Sequence, residues 1–136
     1  MKNFIYLLTP VIAWLIAGVL KFCVNSIKSN SSAFEKIGYG GMPSNHSAIV
    51  SSMASMIFLQ EGITHPAFGV AITLLFIVII DANALRNQIG KQAKVINSLN
   101  TEKDTKLRES MGHSKLEILA GLILGFVISW LISILI

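Results

Sequence analysis

The chain has 136 residues, of which 53% are hydrophobic and only 13% are charged, and its mean hydropathy is +0.67. A soluble globular domain of this size needs more surface charge, so the composition excludes that class and indicates a membrane protein. The net charge is +4, but the basic residues lie between apolar segments, where they set membrane topology, and we expect no nucleic-acid partner.

Four apolar segments follow one another along the chain. Residues 4–20 and 116–136 are each long enough to cross a hydrocarbon core of roughly 30 Å, which takes ~20 residues of helix. Residues 46–59 are shorter, and Ser51, Ser52 and Ser55 interrupt the apolar run, so we expect this helix to lie inside a bundle. Residues 64–80 form another long apolar run and are predicted to be the remaining span. The whole chain is therefore predicted to be one membrane domain, an all-α, integral membrane four-helix bundle.

The start of the chain has a second interpretation, because Lys2 followed by an apolar run is also how a secretory signal peptide begins. The run is long and no small-x-small cleavage site follows it directly. We therefore expect the first helix to be retained.

Two weaker patterns predict helix packing. Apolar residues recur at helical spacing at Leu85, Ile89, Ala93 and Ile96, so residues 84–97 are predicted to form an amphipathic helix near the lipid headgroups. Gly121 and Gly125 form a G-x-x-x-G pattern, which favours close helix contact. That contact can lie between subunits, and we expect a homo-oligomer.

Ten of the eleven lysines and arginines lie in the first and third connections between the four apolar segments. With four spans, these two connections share one side of the membrane. The positive-inside rule then predicts that this side is cytoplasmic and that both termini lie outside.

The same side carries the polar residues with chemical potential. Helix ends that share a face of a small bundle lie within roughly 10–15 Å of one another, given interaxial distances of about 8–10 Å. This topology brings His46 and His113 close to several cations and to the carboxylates of Asp81 and Glu117. Two imidazoles can supply a nucleophile and an acid, and cations can hold a phosphoryl group. Because the carboxylates are few, we expect no metal site and no cofactor.

These residues resemble a known superfamily. Pro-Ser-Asn-His-Ser at 43–47 is similar to the P-S-G-H motif of the type 2 phosphatidic acid phosphatases and vanadium-dependent haloperoxidases, and the histidine and glutamate of 113–117 are similar to its H-x-x-x-D motif. The closer resemblance is to a divergent branch of short membrane proteins, through residues 40–48, 81–93 and 112–125.

The resemblance implies a role for each matching residue. It implies that His113 attacks phosphorus to form a phosphohistidine, that Glu117 orients the His113 ring, and that His46 protonates the leaving oxygen. It also implies phosphate contacts from the loop serine and the neighbouring glycine amides, while the cations come from the topology argument. The predicted phosphate-binding residues are Lys21, Gly40, Gly41, Ser44, Arg86 and Arg108.

The chain departs from the superfamily pattern in several places. Asn45 stands where the P-S-G-H motif has glycine, and Glu117 stands where the H-x-x-x-D motif has aspartate. The K-x6-R-P motif is absent, and Arg108 lies five residues before His113, where the pattern has an arginine six residues before. The usual core also has six membrane helices, against four predicted here.

Several of these residues also have a purely structural interpretation. Ser114 and Glu117 fit a capping box, Ser44 fits a helix N-cap, and Asp81 with Arg86 fits an interfacial ion pair. His65, on the other side of the membrane, is interpreted as a turn residue.

The sequence thus predicts a metal-independent membrane phosphatase whose substrate is a lipid phosphate or pyrophosphate. The alternative is a non-catalytic module that binds phosphate or an anionic lipid. A haloperoxidase is disfavoured, because known members are large soluble proteins.

Overall fold

The computed structural model describes residues 2–28, 41–99, 106–109 and 111–136. These residues form helices and contain no strand, which confirms the all-α prediction. The elements are α1 (Lys2–Lys28), α2 (Asn45–Glu61), α3 (Pro66–Ile80), a π-helical turn (Asp81–Leu85), α4 (Arg86–Leu99) and α5 (Lys115–Ile134).

Among the described residues, three helical stretches are long and apolar enough to cross a membrane: Phe4–Ile27, Pro66–Leu99 and Lys115–Ile134. The fourth helix, α2, has 17 residues and measures about 25 Å at ~1.5 Å per residue. The protein is thus an all-α membrane bundle with three apolar outer helices.

The short helix α2 lies at the centre of the bundle and contacts α1, α3 and α5. It buries small and polar side chains along much of its length, among them Ser47, Ser51 and Ser52. A helix with these side chains would be costly in contact with lipid, whereas neighbouring helices can satisfy the hydroxyl groups. The prediction that this segment lies inside the bundle is confirmed.

Two glycines let α2 and α5 approach each other closely. A Cβ atom added at Gly121 would lie 2.5 Å from the carbonyl oxygen of Ser44, and one at Gly125 would lie 2.5 Å from that of Ala48. Because both contacts follow the same chain direction, α2 and α5 run parallel. The close packing predicted from G-x-x-x-G therefore occurs within the chain, where α2 occupies the glycine face.

Serine hydroxyls hold the same pair of helices together. Ser51 Oγ donates to the carbonyl of Leu122 at 2.7 Å, and Ser129 Oγ donates to the carbonyl of Ser52 at 2.6 Å. These bonds satisfy hydroxyl groups that lipid could not, and they fix the register between the two helices.

The two ends of the bundle are distinct. At one end, Tyr6 Oη donates to Glu61 Oε1 at 2.5 Å, and Gln60 Nε2 donates to Ser133 Oγ at 3.0 Å. The start of α1, the end of α2 and the end of α5 therefore lie together. The first turns of α2 and α5 lie at the opposite end, which is called the site face below.

The helix bounds differ from the predicted spans in two informative ways. Helix α1 runs to Lys28 instead of residue 20, so Lys21 lies inside a helix and does not end it. Helix α3 begins at Pro66, where His65 Nδ1 accepts from the amide of Ala67 at 3.3 Å as an N-cap. His65 therefore lies in the turn before α3, as predicted, and caps the first turn of that helix.

Helix α3 also continues past residue 80. Hydrogen bonding passes through the π-turn, in which the amide of Arg86 donates to the carbonyl of Asp81, and then along α4 to Leu99. The amphipathic helix predicted at 84–97 is present, and it forms one helix with α3.

Candidate active site

A small pocket opens on the site face at the point where four segments of the chain meet. Its volume is about 100 Å³, several times the ~10–15 Å³ that a cavity needs to hold one water molecule, so it has room for a group the size of a phosphoryl. Five of the predicted site residues line it. The lining residues are Lys21, His46, Arg86, Arg108, Met111, Gly112 and His113.

His113 and Glu117 form a hydrogen-bonded dyad at the start of α5. His113 Nδ1 lies 3.1 Å from Glu117 Oε2, and the His113 side chain is only 7% exposed. With the Nδ1 proton donated to the carboxylate, the lone pair resides on Nε2, which is the ring nitrogen left for chemistry.

Glu117 also closes a capping box. Its Oε2 accepts from the amide of Ser114 at 3.0 Å, while its own amide donates to Ser114 Oγ at 3.3 Å. His113 lies just outside the helix, yet the same carboxylate oxygen reaches both the cap and the ring. Glu117 can therefore cap α5 and orient the His113 ring at the same time.

The backbone around His113 is fixed by the other site elements. The amide of His113 donates to the carbonyl of Ala82 in the π-turn at 3.0 Å, and the amide of Ser44 donates to the carbonyl of Glu117 at 3.0 Å. The starts of α2 and α5 and the π-turn thus form one hydrogen-bonded frame. The relative position of the two histidines depends on that frame.

His46 faces His113 across the pocket. Their ring centroids are 6.1 Å apart and the rings are tilted by 57°. Arg86 Nη2 lies 3.4 Å from His46 Nε2, and Arg86 Nε donates to Asp81 Oδ2 at 3.0 Å. The sequence left the ion pair and the place at the pocket as alternatives, and both are present, because Arg86 Nε pairs with Asp81 while Nη2 lies next to His46.

Burial is the main cause that lowers the pKa of His113 below its ordinary value. The nearby cations Lys21 and Arg86 lower the pKa further, and Glu117 opposes the shift through its hydrogen bond and its charge. The ring is therefore neutral at pH 7, the form in which Nε2 is a nucleophile.

Two predicted phosphate contacts are not brought to the pocket. Ser44 is fully buried, and its Oγ accepts from the amide of Ser47 at 3.4 Å and from Ser47 Oγ at 3.0 Å as the N-cap of α2. Gly41 lies against α1, where an added Cβ would be 2.8 Å from Asn25 Oδ1. The tight contact of α2 with α5 keeps the serine inside the bundle, where it serves as the cap, and its phosphate contact stays a prediction. Gly40 lies outside the described residues.

Helix α4 positions Arg108 and His113, a function that the sequence did not suggest. The return segment, residues 106–109 and 111–113, runs back along α4 towards α5. Asn97 holds it, since Asn97 Oδ1 accepts from the amide of Leu107 at 2.8 Å and Nδ2 donates to the carbonyl of Leu107 at 2.7 Å. Asn97 Nδ2 also donates to Glu109 Oε1 at 2.8 Å.

Two glycines permit this close approach. A Cβ at Gly90 would lie 2.5 Å from the carbonyl oxygen of Glu109, and one at Gly112 would meet the side chain of Asn87. Gly112 also has a φ of +94°, which disfavours other residues. Gly90 belongs to the sequence pattern at 81–93, so the sequence marked this position. Only the structure shows that the glycine lies against the return segment.

Within the part of the chain that the structure describes, no three His, Cys, Asp or Glu side chains converge as metal ligands would. The pocket instead combines two imidazoles with the cations of Lys21, Arg86 and Arg108. Such a lining fits an anionic group with several oxygen atoms.

Comparison with known proteins identifies the family of the chain. A family model described as the divergent PAP2 family matches residues 1–128. The chain belongs to the divergent PAP2 family. It is 29% identical over 146 residues to the uncharacterized membrane protein YuiD of Bacillus subtilis (strain 168), a match that covers 93% of this chain and 92% of that protein. No solved structure matches the chain. The family resemblance found in the sequence is thereby confirmed, and it indicates a phosphatase-like relationship.

Proposed function

We propose that this protein is a membrane phosphatase that hydrolyses a lipid phosphate or pyrophosphate through a phosphohistidine at His113. The observation that carries the proposal is the pairing of an oriented, buried imidazole with a second imidazole 6.1 Å away in a pocket lined by three cations. Membership of a PAP2-related family supports the same chemistry.

In the first step, His113 Nε2 attacks phosphorus and the bond from phosphorus to the leaving oxygen breaks. Glu117 stabilises the positive charge that develops on the ring through Nδ1. His46, which enters this step as the imidazolium, gives its proton to the leaving oxygen and becomes neutral, while the cations balance charge on the phosphoryl oxygens.

In the second step, His46 takes a proton from a water molecule, and the resulting hydroxide attacks phosphorus. The bond between phosphorus and Nε2 breaks, inorganic phosphate leaves, and neutral His113 is restored. Each histidine returns to its starting state, so the cycle consumes one water molecule.

A lipid substrate is supported by the position of the pocket. It lies where α2 and α5 begin and where the apolar part of α3 gives way to Asp81 and Arg86. That level corresponds to the headgroup region, in which a lipid phosphate already resides. A soluble phosphate ester would have no such advantage.

The test is phosphate release by purified protein in excess EDTA from a panel of lipid phosphates and soluble esters. His113→Ala and His46→Ala should both lose release. A matched control is His65→Asn, which removes a histidine at the other end of the bundle but keeps a capping acceptor for α3. Retained release in His113→Ala would exclude it as the nucleophile, and equal release from soluble esters would exclude lipid selectivity.

The second candidate is a module that binds phosphate or an anionic lipid without turnover. One observation favours it: Ser44 is withdrawn from the pocket, which leaves the phosphate cradle with fewer donors. Saturable phosphate binding without release, and without an acid-labile phosphorylated His113, would support this candidate over the phosphatase.

We further propose that the site face is cytoplasmic, on the basis of the positive charge in its connections. In a Cys23→Ser background, a membrane-impermeant thiol reagent should label Lys94→Cys only after cells are permeabilised. The matched variant Ile63→Cys, in the exposed turn between α2 and α3, should be labelled in intact cells. The reverse pattern would invert the orientation.

A further inference from the structure

An uncovered apolar stripe runs along α4. Five residues succeed one another at alternating intervals of four and three, which places them in one row on a helix. They are Leu85, the last residue of the π-turn, and the α4 residues Ile89, Gln92, Ile96 and Leu99, here together called the α4 stripe. Its four apolar side chains remain 57%, 40%, 50% and 79% exposed, respectively.

The return segment occupies a different side of α4. It packs on Gly90 and Asn97, which each follow a stripe isoleucine by one residue and so lie about 100° away around the helix. The contact that organises the active site therefore leaves the α4 stripe open.

Most of the stripe also lies beyond the bilayer core. The helix Pro66–Leu99 has 34 residues and measures about 51 Å, whereas a hydrocarbon core is roughly 30 Å thick and takes ~20 residues of helix. Residues 66–85 are enough to cross the core, so the 14 residues of α4 continue past it from the site face. A row of large apolar side chains in water needs a partner.

The order of residues in the stripe indicates which partner fits. With Ile89 and Ile96 at a positions, Leu85, Gln92 and Leu99 take the d positions of a heptad repeat. β-branched residues at a with leucine at d favour parallel two-stranded coiled coils. Two copies inserted in the same orientation also present α4 in the same direction, so a parallel pairing is the one the membrane permits.

We propose that the α4 stripe pairs with the α4 stripe of a second copy of this chain as a short parallel coiled coil on the site face. Gln92 at a d position sets the register, as single polar core residues do, at a cost in stability. This inference is independent of the proposed chemistry, since no stripe residue lines the pocket.

So short a coiled coil is weak alone, because isolated helices below ~12–15 residues are marginal in water. Confinement in a bilayer raises the effective concentration of the partner helix and removes the need to orient it. The dimer should therefore form in membranes and dissociate on dilution in detergent.

Cysteine crosslinking tests the pairing directly. In a Cys23→Ser background reconstituted in dilute phosphatidylcholine vesicles, Ile96→Cys places two thiols at facing a positions, where Cα atoms lie within the ~7 Å that a disulfide spans. Lys94→Cys is the matched control, since position f points away from the partner. Mild oxidation should give a dimer band several-fold stronger for Ile96→Cys than for Lys94→Cys.

A second set of variants keeps the test informative if cysteines perturb the helix. Gln92→Leu should increase the dimer fraction, measured by single-molecule counting in the same vesicles. The double variant Ile89→Asn with Ile96→Asn should abolish it, and Lys94→Asn with Ser98→Asn should leave it unchanged. Equal crosslinking at positions 94 and 96 would overturn the proposal, as would quenching of a fluorophore on Ile96→Cys by brominated lipid, which would place the stripe on the bilayer surface.

Discussion

Substitution of the α5 glycines by alanine should both destabilise the bundle and disturb the site. At Gly125 an added Cβ would lie 2.5 Å from the carbonyl oxygen of Ala48 and 2.8 Å from the amide of Ser52. Ordinary C···O contacts lie at about 3.3–3.6 Å. Helices α2 and α5 must therefore separate by about 1 Å to admit the methyl group.

The cost can be estimated from the contacts that this separation affects. Overpacking costs ~1–3 kcal/mol, and an interhelical hydrogen bond in a membrane is worth about 0.6 kcal/mol. The bonds from Ser51 and Ser129, at 2.7 and 2.6 Å, would stretch beyond hydrogen-bond length. Gly125→Ala should thus lower the free energy of unfolding by ~2–4 kcal/mol.

The assay is reversible unfolding of purified protein in mixed micelles with increasing SDS. Gly69→Ala in α3 is the matched control, because an added Cβ there meets nothing within 4 Å, and it should raise helix stability by up to ~1 kcal/mol. If Gly125→Ala proved as stable as Gly69→Ala, the parallel contact between α2 and α5 would be refuted.

Three further predictions concern the site. Glu117→Gln keeps an oxygen that can cap Ser114 but removes the charge that stabilises the imidazolium. The kcat should therefore fall by ~10²–10⁴ while the stability of α5 is retained. Loss of kcat together with loss of α5 stability would leave Glu117 only the capping role. Because burial lowers the pKa of His113, the acid limb of a kcat/KM profile should lie below about pH 6.5, and a limb above that value would contradict the assignment. Asn97→Ala should weaken phosphate binding several-fold by releasing the return segment, whereas Ser98→Ala, which removes a hydroxyl that donates to the carbonyl of Val95 within α4, should not; isothermal titration with phosphate distinguishes the two.

The helices and the convergence of the site residues were predictable from the sequence. Apolar segments of membrane length indicate spans, and alternation of direction brings every second connection to one face. This reasoning alone placed His46, His113, Lys21, Arg86 and Arg108 together, as the structure shows. The side of the membrane on which a connection lies depends only on the number of crossings before it. The prediction therefore held although the predicted ends of α1 and α3 were wrong by several residues.

The positions of the loop residues and the helix contacts were not predictable in the same way. Ser44 fits both a helix cap and a phosphate contact, and the sequence does not show that its side chain is fully buried where α2 meets α5. Asn97 and Gly90 acquire their function from the return segment, which no periodic pattern in α4 reveals. Gly121 and Gly125 predicted a close contact correctly, but a glycine face does not specify which helix fills it.

The parallel course of α2 and α5 has an electrostatic consequence for the pocket. Each helix carries the equivalent of about +0.5 charge at its amino end, and antiparallel neighbours would largely cancel this field. Here both amino ends lie on the site face, so their backbone fields add beside His46 and His113. Part of the attraction for an anion is therefore built into the peptide backbone, and neutralising any one of the three lysine or arginine side chains should weaken phosphate binding without abolishing it.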